Sequence, residues 1–94
     1  MDGVRVVDNA EARRYEIYVD DTLAGFTTYR DRPDARIALH SEVFPEFEHR
    51  GLATELARGT LDDIRARGMH VVPRCPFVAK YVREHPDYAD LVTE

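Results

Sequence analysis

The stretch Arg36-Ile37-Ala38-Leu39-His40-Ser41-Glu42-Val43-Phe44-Pro45-Glu46-Phe47-Glu48-His49-Arg50-Gly51-Leu52-Ala53 decides how this chain folds. Its first half alternates: Ile37, Leu39, Ser41 and Val43 oppose Ala38, His40 and Glu42, the period of a strand. Past Gly51 the period changes. Leu52, Ala53, Leu56, Ala57, Thr60, Leu61 and Ile64 recur at steps of three and four, which predicts an amphipathic helix. The loop between them joins the end of a strand to the start of the chain's longest helix. Such a start exposes unpaired N–H groups and a partial positive charge, where an anion can settle. Gly51 lets a phosphate approach with no Cβ in the way, Ala53 keeps the next turn narrow, and Arg50 and His49 could charge the rim. A short glycine motif is also read, more plainly, as a solvated loop that starts a helix.

Upstream the chain reads as strands. Val4, Val6 and Val7 form a short one that ends at Asp8-Asn9. From Arg14 to Asp20, Tyr15, Ile17 and Val19 alternate with Glu16, Tyr18 and Asp20. Leu23 to Arg30 is a third strand, closed by the turn Asp31-Arg32-Pro33-Asp34. Downstream, Arg65 and Arg67 occupy the helix's last turn and Gly68 stops it, with exposed pairs expected from Asp63 to Arg67 and from Arg58 to Asp62. Gly59 inside the helix costs about 1 kcal/mol against Ala, which close packing on a sheet would explain. Met69 to Pro73 is a short buried strand, and Pro76 opens a second helix whose Phe77, Val78, Tyr81 and Val82 face one way until His85-Pro86. Tyr88 to Val92 should pack back on the body. A right-handed crossover makes the Arg36–Val43 and Met69–Pro73 strands parallel. The expected fold is α+β: a mixed, mostly antiparallel sheet with one parallel pair and two packed helices, in a single domain over residues 1–94.

Composition bounds the function. Of 94 residues, 44% are hydrophobic and 33% charged, which suits a soluble globular domain. The formal charge is −5, against a protein that wraps nucleic acid by neutralising phosphates. The basic residues are all Arg except Lys80. Tyr15, Tyr18, Phe26 and Tyr29 read as core or sheet-face residues, because an RNA-binding sheet would want basic neighbours. Cys75 is the only cysteine, so neither an intrachain disulfide nor a Cys-based zinc site can form, and His49, His70 and His85 have no metal-site spacing. Met1-Asp2-Gly3-Val4-Arg5 lacks the apolar core of a signal peptide and no apolar run nears 18 residues. The expectation is a cytoplasmic protein, off the membrane, a monomer or weak homodimer with a free thiol.

Glu48-His49-Arg50-Gly51-Leu52-Ala53 resembles the Arg/Gln-x-x-Gly-x-Gly/Ala signature of the GNAT (GCN5-related) N-acetyltransferases, with Glu48 where that superfamily has Arg or Gln. The chain is similar, over nearly its whole length, to the very short members of that group: Leu39-His40-Ser41-Glu42-Val43, Val71-Val72-Pro73-Arg74-Cys75-Pro76-Phe77-Val78 and His85-Pro86-Asp87-Tyr88 carry the likeness. It lacks the two N-terminal helices that wall the acceptor site in full-length members. The resemblance implies an acetyl-CoA site where two parallel strands splay apart, here Arg36–Val43 and Met69–Pro73. Main-chain groups of Val43 and Phe44 would hold the pantetheine arm, and Glu48, His49, Arg50, Gly51, Leu52, Ala53 and Thr54 the pyrophosphate. The implied activity is acetyl transfer to an amine, of a protein or a small molecule. The rival is a non-catalytic CoA-binding or interaction module of the same fold.

Three residues are candidates for chemistry. Cys75 precedes Pro76, so it should be extended and cap the second helix, and beside Arg74 its thiolate should be favoured. It is equally read as a small buried hydrophobe; the resemblance, which turns this cysteine toward the thioester, favours an acyl relay. Transfer to an amine needs a base, and Glu42 and His40 leave the same face of the strand that feeds the loop. Glu42 is the expected base and His40 its orienting partner, or the activator of Cys75. Their plain readings are a solvated charge and a hydrogen-bonded rim side chain.

Overall fold

The computed structural model describes residues 3–94; the reading of Met1 and Asp2 lies outside them. Four strands form an antiparallel meander: β1 (Val4–Asn9), β2 (Arg14–Val19), β3 (Thr22–Arg32) and β4 (Ala35–Val43). A 3-10 turn at Pro45–Phe47 leads to helix α1 (Leu52–Ala66), which crosses back to β5 (His70–Pro73), parallel to β4 at the end of the sheet. Helix α2 (Pro76–Glu84) and a second 3-10 turn, Pro86–Leu91, complete the chain. The turn tucks Tyr88 and Leu91 inside, Val92 bridges to Val71, and the Thr93 N–H donates to the Val71 carbonyl at 2.9 Å.

One apolar cluster holds these elements together. Tyr15, Ile17, Tyr29 and Ala38 of the sheet meet Leu56, Leu61 and Ile64 of α1 and Val78 and Tyr81 of α2. Leu61 and Ile64 are wholly buried, each contributing about 2 kcal/mol by removal from water. Gly59 faces Val6 of β1 so closely that an added Cβ would lie 2.7 Å from the Val6 Cβ. Across the sheet, Tyr18, Phe26, His40 and Glu42 stay partly or largely exposed.

β4 does not alternate simply. Tyr29 opposes Ala38 and Thr28 opposes His40, which leaves Leu39 unpaired in a bulge and 41% exposed. The extra residue reverses the phase of the strand. Arg36 and Ala38 face the helices before it, Ser41 and Val43 after it, so Leu39 does not share their face as expected. The pairing of β4 with β5 runs only from Ala35–His70 to Ala38–Pro73, and the Cys75 N–H to the Ala38 carbonyl, at 2.8 Å, is the last link. Residues 39–43 of β4 continue with no partner on that side. The strands part there.

Of the two helix pairs expected from spacing, Asp63–Arg67 forms at 2.7 Å. Arg58 turns to Glu55 instead of Asp62, because the C-terminal turn brings the Tyr88 hydroxyl to Asp62 at 2.5 Å. Away from the parting, the buried Arg36 guanidinium donates to Asp31 (2.7 and 2.9 Å), to Asp8 (3.2 Å) and to the Tyr15 hydroxyl (2.8 Å), which donates in turn to Asp63 at 2.6 Å. The Tyr29 hydroxyl completes the network on Asp8 at 2.5 Å. These bonds clamp four strands to α1.

Candidate functional site

The parted strands open a cleft of about 400 Å³, within the range of small-molecule sites. Its walls are Ser41, Glu42 and Val43 from β4, Phe47, Glu48 and His49 from the loop, Gly51, Leu52 and Ala53 from the head of α1, and Phe77 from α2.

Its main chain is arranged for a polar ligand. The Glu42 carbonyl is turned toward Gly25 of β3, and the Phe44 N–H donates to the Ala24 carbonyl at 2.8 Å. Neighbouring residues of a strand point their N–H and C=O groups to opposite edges. Ser41 and Val43 therefore present theirs to the edge that β5 has left. Phe44 does not: its carbonyl also accepts from the Phe47 N–H at 2.8 Å. The expected pantetheine contact at Val43 has open groups, and the one at Phe44 has groups bonded within the protein.

The loop then bends sharply. His49 and Gly51 both take left-handed backbone angles, φ 65° and 76°. For His49, a residue with a Cβ, that geometry costs about 1 kcal/mol or more, and such strain gathers at ligand sites. α1 starts on Gly51 with no side chain capping it, so the N–H groups of its first turn have no partner within the helix. Arg50 lies over the Phe47 ring, 5.4 Å from its centre, at the rim.

Among the expected site residues, Glu42, Val43, Glu48, His49, Gly51, Leu52 and Ala53 line this cleft. Thr54 lines a smaller basin beside it. His40, 62% exposed at its side chain, stands 3.3 Å from Glu42, ring nitrogen to carboxylate. Cys75 caps α2 with extended backbone, as its place before Pro76 requires, but its side chain bonds no helix N–H. It is fully buried, and its Sγ donates to Ser41 Oγ at 3.0 Å, which is 2.7 Å from Thr27 Oγ1. Ser41 and His40 leave opposite faces of β4, so the structure does not bring His40 to the thiol.

Sequence reasoning misses Ser41, Phe47 and Phe77 as lining residues. Helical spacing puts Phe77 in the buried stripe of α2, yet it is 50% exposed while Val78 and Tyr81 are buried. The first turn of α2 projects past the end of β5, so its leading aromatic meets the cleft. Among the described residues there is no His, Cys, Asp and Glu grouping fit for a metal ion, and no helix is long and apolar enough to cross a membrane.

The GCN5-related N-acetyl-transferase family profile matches residues 14–91. The fold is similar to the NMR solution structure of a GCN5-like protein from Staphylococcus aureus (TM-score 0.71, 16% identity, 99% of this chain and 91% of that one). It is also similar to the crystal structure of a ribosomal-protein-alanine N-acetyltransferase from Brucella melitensis biovar Abortus 2308 (TM-score 0.60, 23% identity, 86% of this chain and 61% of that one). The match thus spans less than two thirds of the Brucella protein. No curated protein matches the sequence.

Proposed function

The chain belongs to the GCN5-related N-acetyltransferase family, and from that premise we propose that it is an acetyl-CoA-dependent N-acetyltransferase acting on an exposed amine. The observation that carries the reading is the cleft itself: an edge of open main chain at Ser41 and Val43 runs up to an uncapped helix start at Gly51. That donor set suits a linear amide-bearing arm ending in a diphosphate. In this reading the first turn of α1, with Arg50 at the rim, holds the diphosphate, and β4 holds the arm. The bound thioester supplies an activated acetyl group.

Glu42 is the base: the residue lines the cleft, and its carboxylate, half exposed and 3.3 Å from the His40 ring, takes the proton an attacking amine must lose. Cys75 is a positioning residue here, since its thiol is buried and already bonded to Ser41. The acceptor approaches over the exposed sheet face, where β1 passes to β2 through only the short turn at residues 10–13. An open face fits an amine on a protein or an extended polyamine.

A second reading rests on Glu48, an acidic residue that lines the cleft where the family signature has Arg or Gln: a CoA-binding module without turnover. Release of CoA from acetyl-CoA, measured over a panel of amines, separates the two. For the enzyme, release depends on the amine, and Glu42→Gln lowers it by roughly 10²-fold or more, with Cys75→Ala retaining turnover. Binding with no release for any amine leaves the module.

A further inference from the structure

At the other end of β4 from the cleft lies a separate cavity of about 330 Å³, lined by Ala10, Arg13, Tyr29, Arg30, Asp31 and Arg36. Its arginines come from three places: the turn between β1 and β2, β3, and β4. Arg13 and Arg30 form no ion pair among the described residues. Arg36 is only 5% exposed. Four of its five N–H donors are met: Nε and Nη2 donate to Asp31, and Nη1 to Asp8 and Tyr15. The second proton of Nη2 has no acceptor among the described residues, and a buried donor left unmet is costly. Charge at this corner runs against the rest of the chain. Arg13, Arg30, Arg36 and Arg67 stand against Asp8, Asp31 and Asp63, with Arg67 on Asp8 at 3.1 Å and on Asp63 at 2.7 Å. Glu11, in the same turn as Arg13, does not line the cavity. The local balance is therefore cationic in a chain of formal charge −5. The main chain is fixed there too. Arg13 is held at φ 54° by its N–H on the Ala10 carbonyl at 3.2 Å and by the Tyr29 N–H on its own carbonyl at 3.0 Å. Asp31, two residues past Tyr29, turns its N–H to the same edge, beyond the first residue of β2.

We propose that this cavity binds a phosphate group, as the free ion or as the monoester end of a small molecule, independently of the acetyl-transfer site. A guanidinium is a planar fork matched to oxyanions, and a tetrahedral phosphate has enough oxygens to meet three of them, which a carboxylate has not. Bound there, the phosphate accepts the spare Nη2 proton of Arg36 and neutralises Arg13 and Arg30. Asp31 does not bar it, because its carboxylate is engaged fork to fork by Arg36 at 2.7 and 2.9 Å. The cavity is larger than one oxyanion, which leaves room for the body of a small phosphate ester. Arg36 ties β4 to β3 through Asp31, to β1 through Asp8 and to β2 through Tyr15. Phosphate therefore tightens the end of the sheet remote from the cleft.

NMR titration of the full chain with inorganic phosphate and with O-phosphoserine, against acetate at matched ionic strength, tests this. The amide signals of Ala10 and Asp31 should shift and saturate with both phosphates. Arg30→Gln and Arg13→Asn, the latter chosen because Asn accepts left-handed backbone, should each weaken that response about threefold, the scale of an exposed charge pair. The double variant should lose roughly tenfold if the two contacts are independent. Tighter binding of O-phosphoserine than of phosphate supports the monoester as ligand, and the reverse order supports the free ion. Saturation at Ala10 and Asp31 that is unchanged in the double variant overturns the proposal. So do shifts confined to Gly51 and Leu52 at the head of α1, or a response to acetate as strong as to phosphate.

Discussion

Cys75 Sγ lies 3.0 Å from Ser41 Oγ, one link beyond the last hydrogen bond that joins β4 to β5. Ser41 lines the cleft and the thiol does not, so the serine side chain stands between the sulfur and any ligand. Alkylation of Cys75 in the folded protein then requires local opening. Ser41→Gly should speed it by roughly tenfold, equivalent to about 1.4 kcal/mol less opening free energy. Wild-type alkylation as fast as that of the unfolded chain would contradict this placement.

Gly51 heads α1 at φ 76°, where a side chain is strained. Gly51→Ala should cost about 1–2 kcal/mol of stability for the left-handed geometry. It also sets a methyl group at the mouth of the anion cradle. The thermal shift produced by acetyl-CoA, about 2.7 kcal/mol of stabilisation at a hundredfold excess over Kd, should shrink at fixed ligand concentration. A shift equal to that of the wild type places the diphosphate elsewhere.

The strand–loop–helix–strand core can be read from sequence because each part announces itself locally: period two to Val43, a glycine, period three to four from Leu52. Cys75 before Pro76 is equally local, since proline forces its neighbour into extended geometry. What cannot be read depends on partners far along the chain. The bulge at Leu39 exists only in the register of β3 against β4. Phe77 fits the α2 stripe by spacing, and only the shortness of β5 leaves it uncovered. The Arg36 network draws Asp8, Tyr15, Asp31 and Asp63 from four elements, and no spacing marks them as one group. Within the site, a motif marks the residues on the loop and helix start, whereas Ser41 gains its meaning from Cys75.

Gly59 lies in an α-helix, where Ala is better by about 1 kcal/mol. That gain is outweighed here, because an added Cβ meets Val6 at 2.7–3.0 Å and overpacking costs roughly 1–3 kcal/mol. Gly59→Ala should therefore lower Tm. In a Val6→Gly background, which removes the Val6 Cβ along with its methyl groups, the obstacle is gone and the same substitution should raise it. Urea unfolding of the four proteins gives the coupling, and additive effects would show that the contact does not decide the choice of glycine.

All five tyrosines hold their protons more tightly than free tyrosine. Burial raises Tyr15, Tyr29, Tyr81 and Tyr88; hydrogen bonds to Asp63, Asp8 and Asp62 add to this at the first, second and fourth. Tyr29 is pushed up to about 12, and the bond to Glu16 raises Tyr18. In the unfolded chain these groups titrate near about 10. Below that pH both states are protonated and the stabilisation is fully present. Above it the unfolded chain has shed protons that the folded one keeps, so stability falls as pH rises through the folded values. With no tryptophan to obscure the band, tyrosinate absorbance should rise late and steeply, together with loss of far-UV circular dichroism. A gradual rise centred near about 10, with the dichroism intact, would mean that the hydroxyls of Tyr15, Tyr29 and Tyr88 are not held by their aspartates.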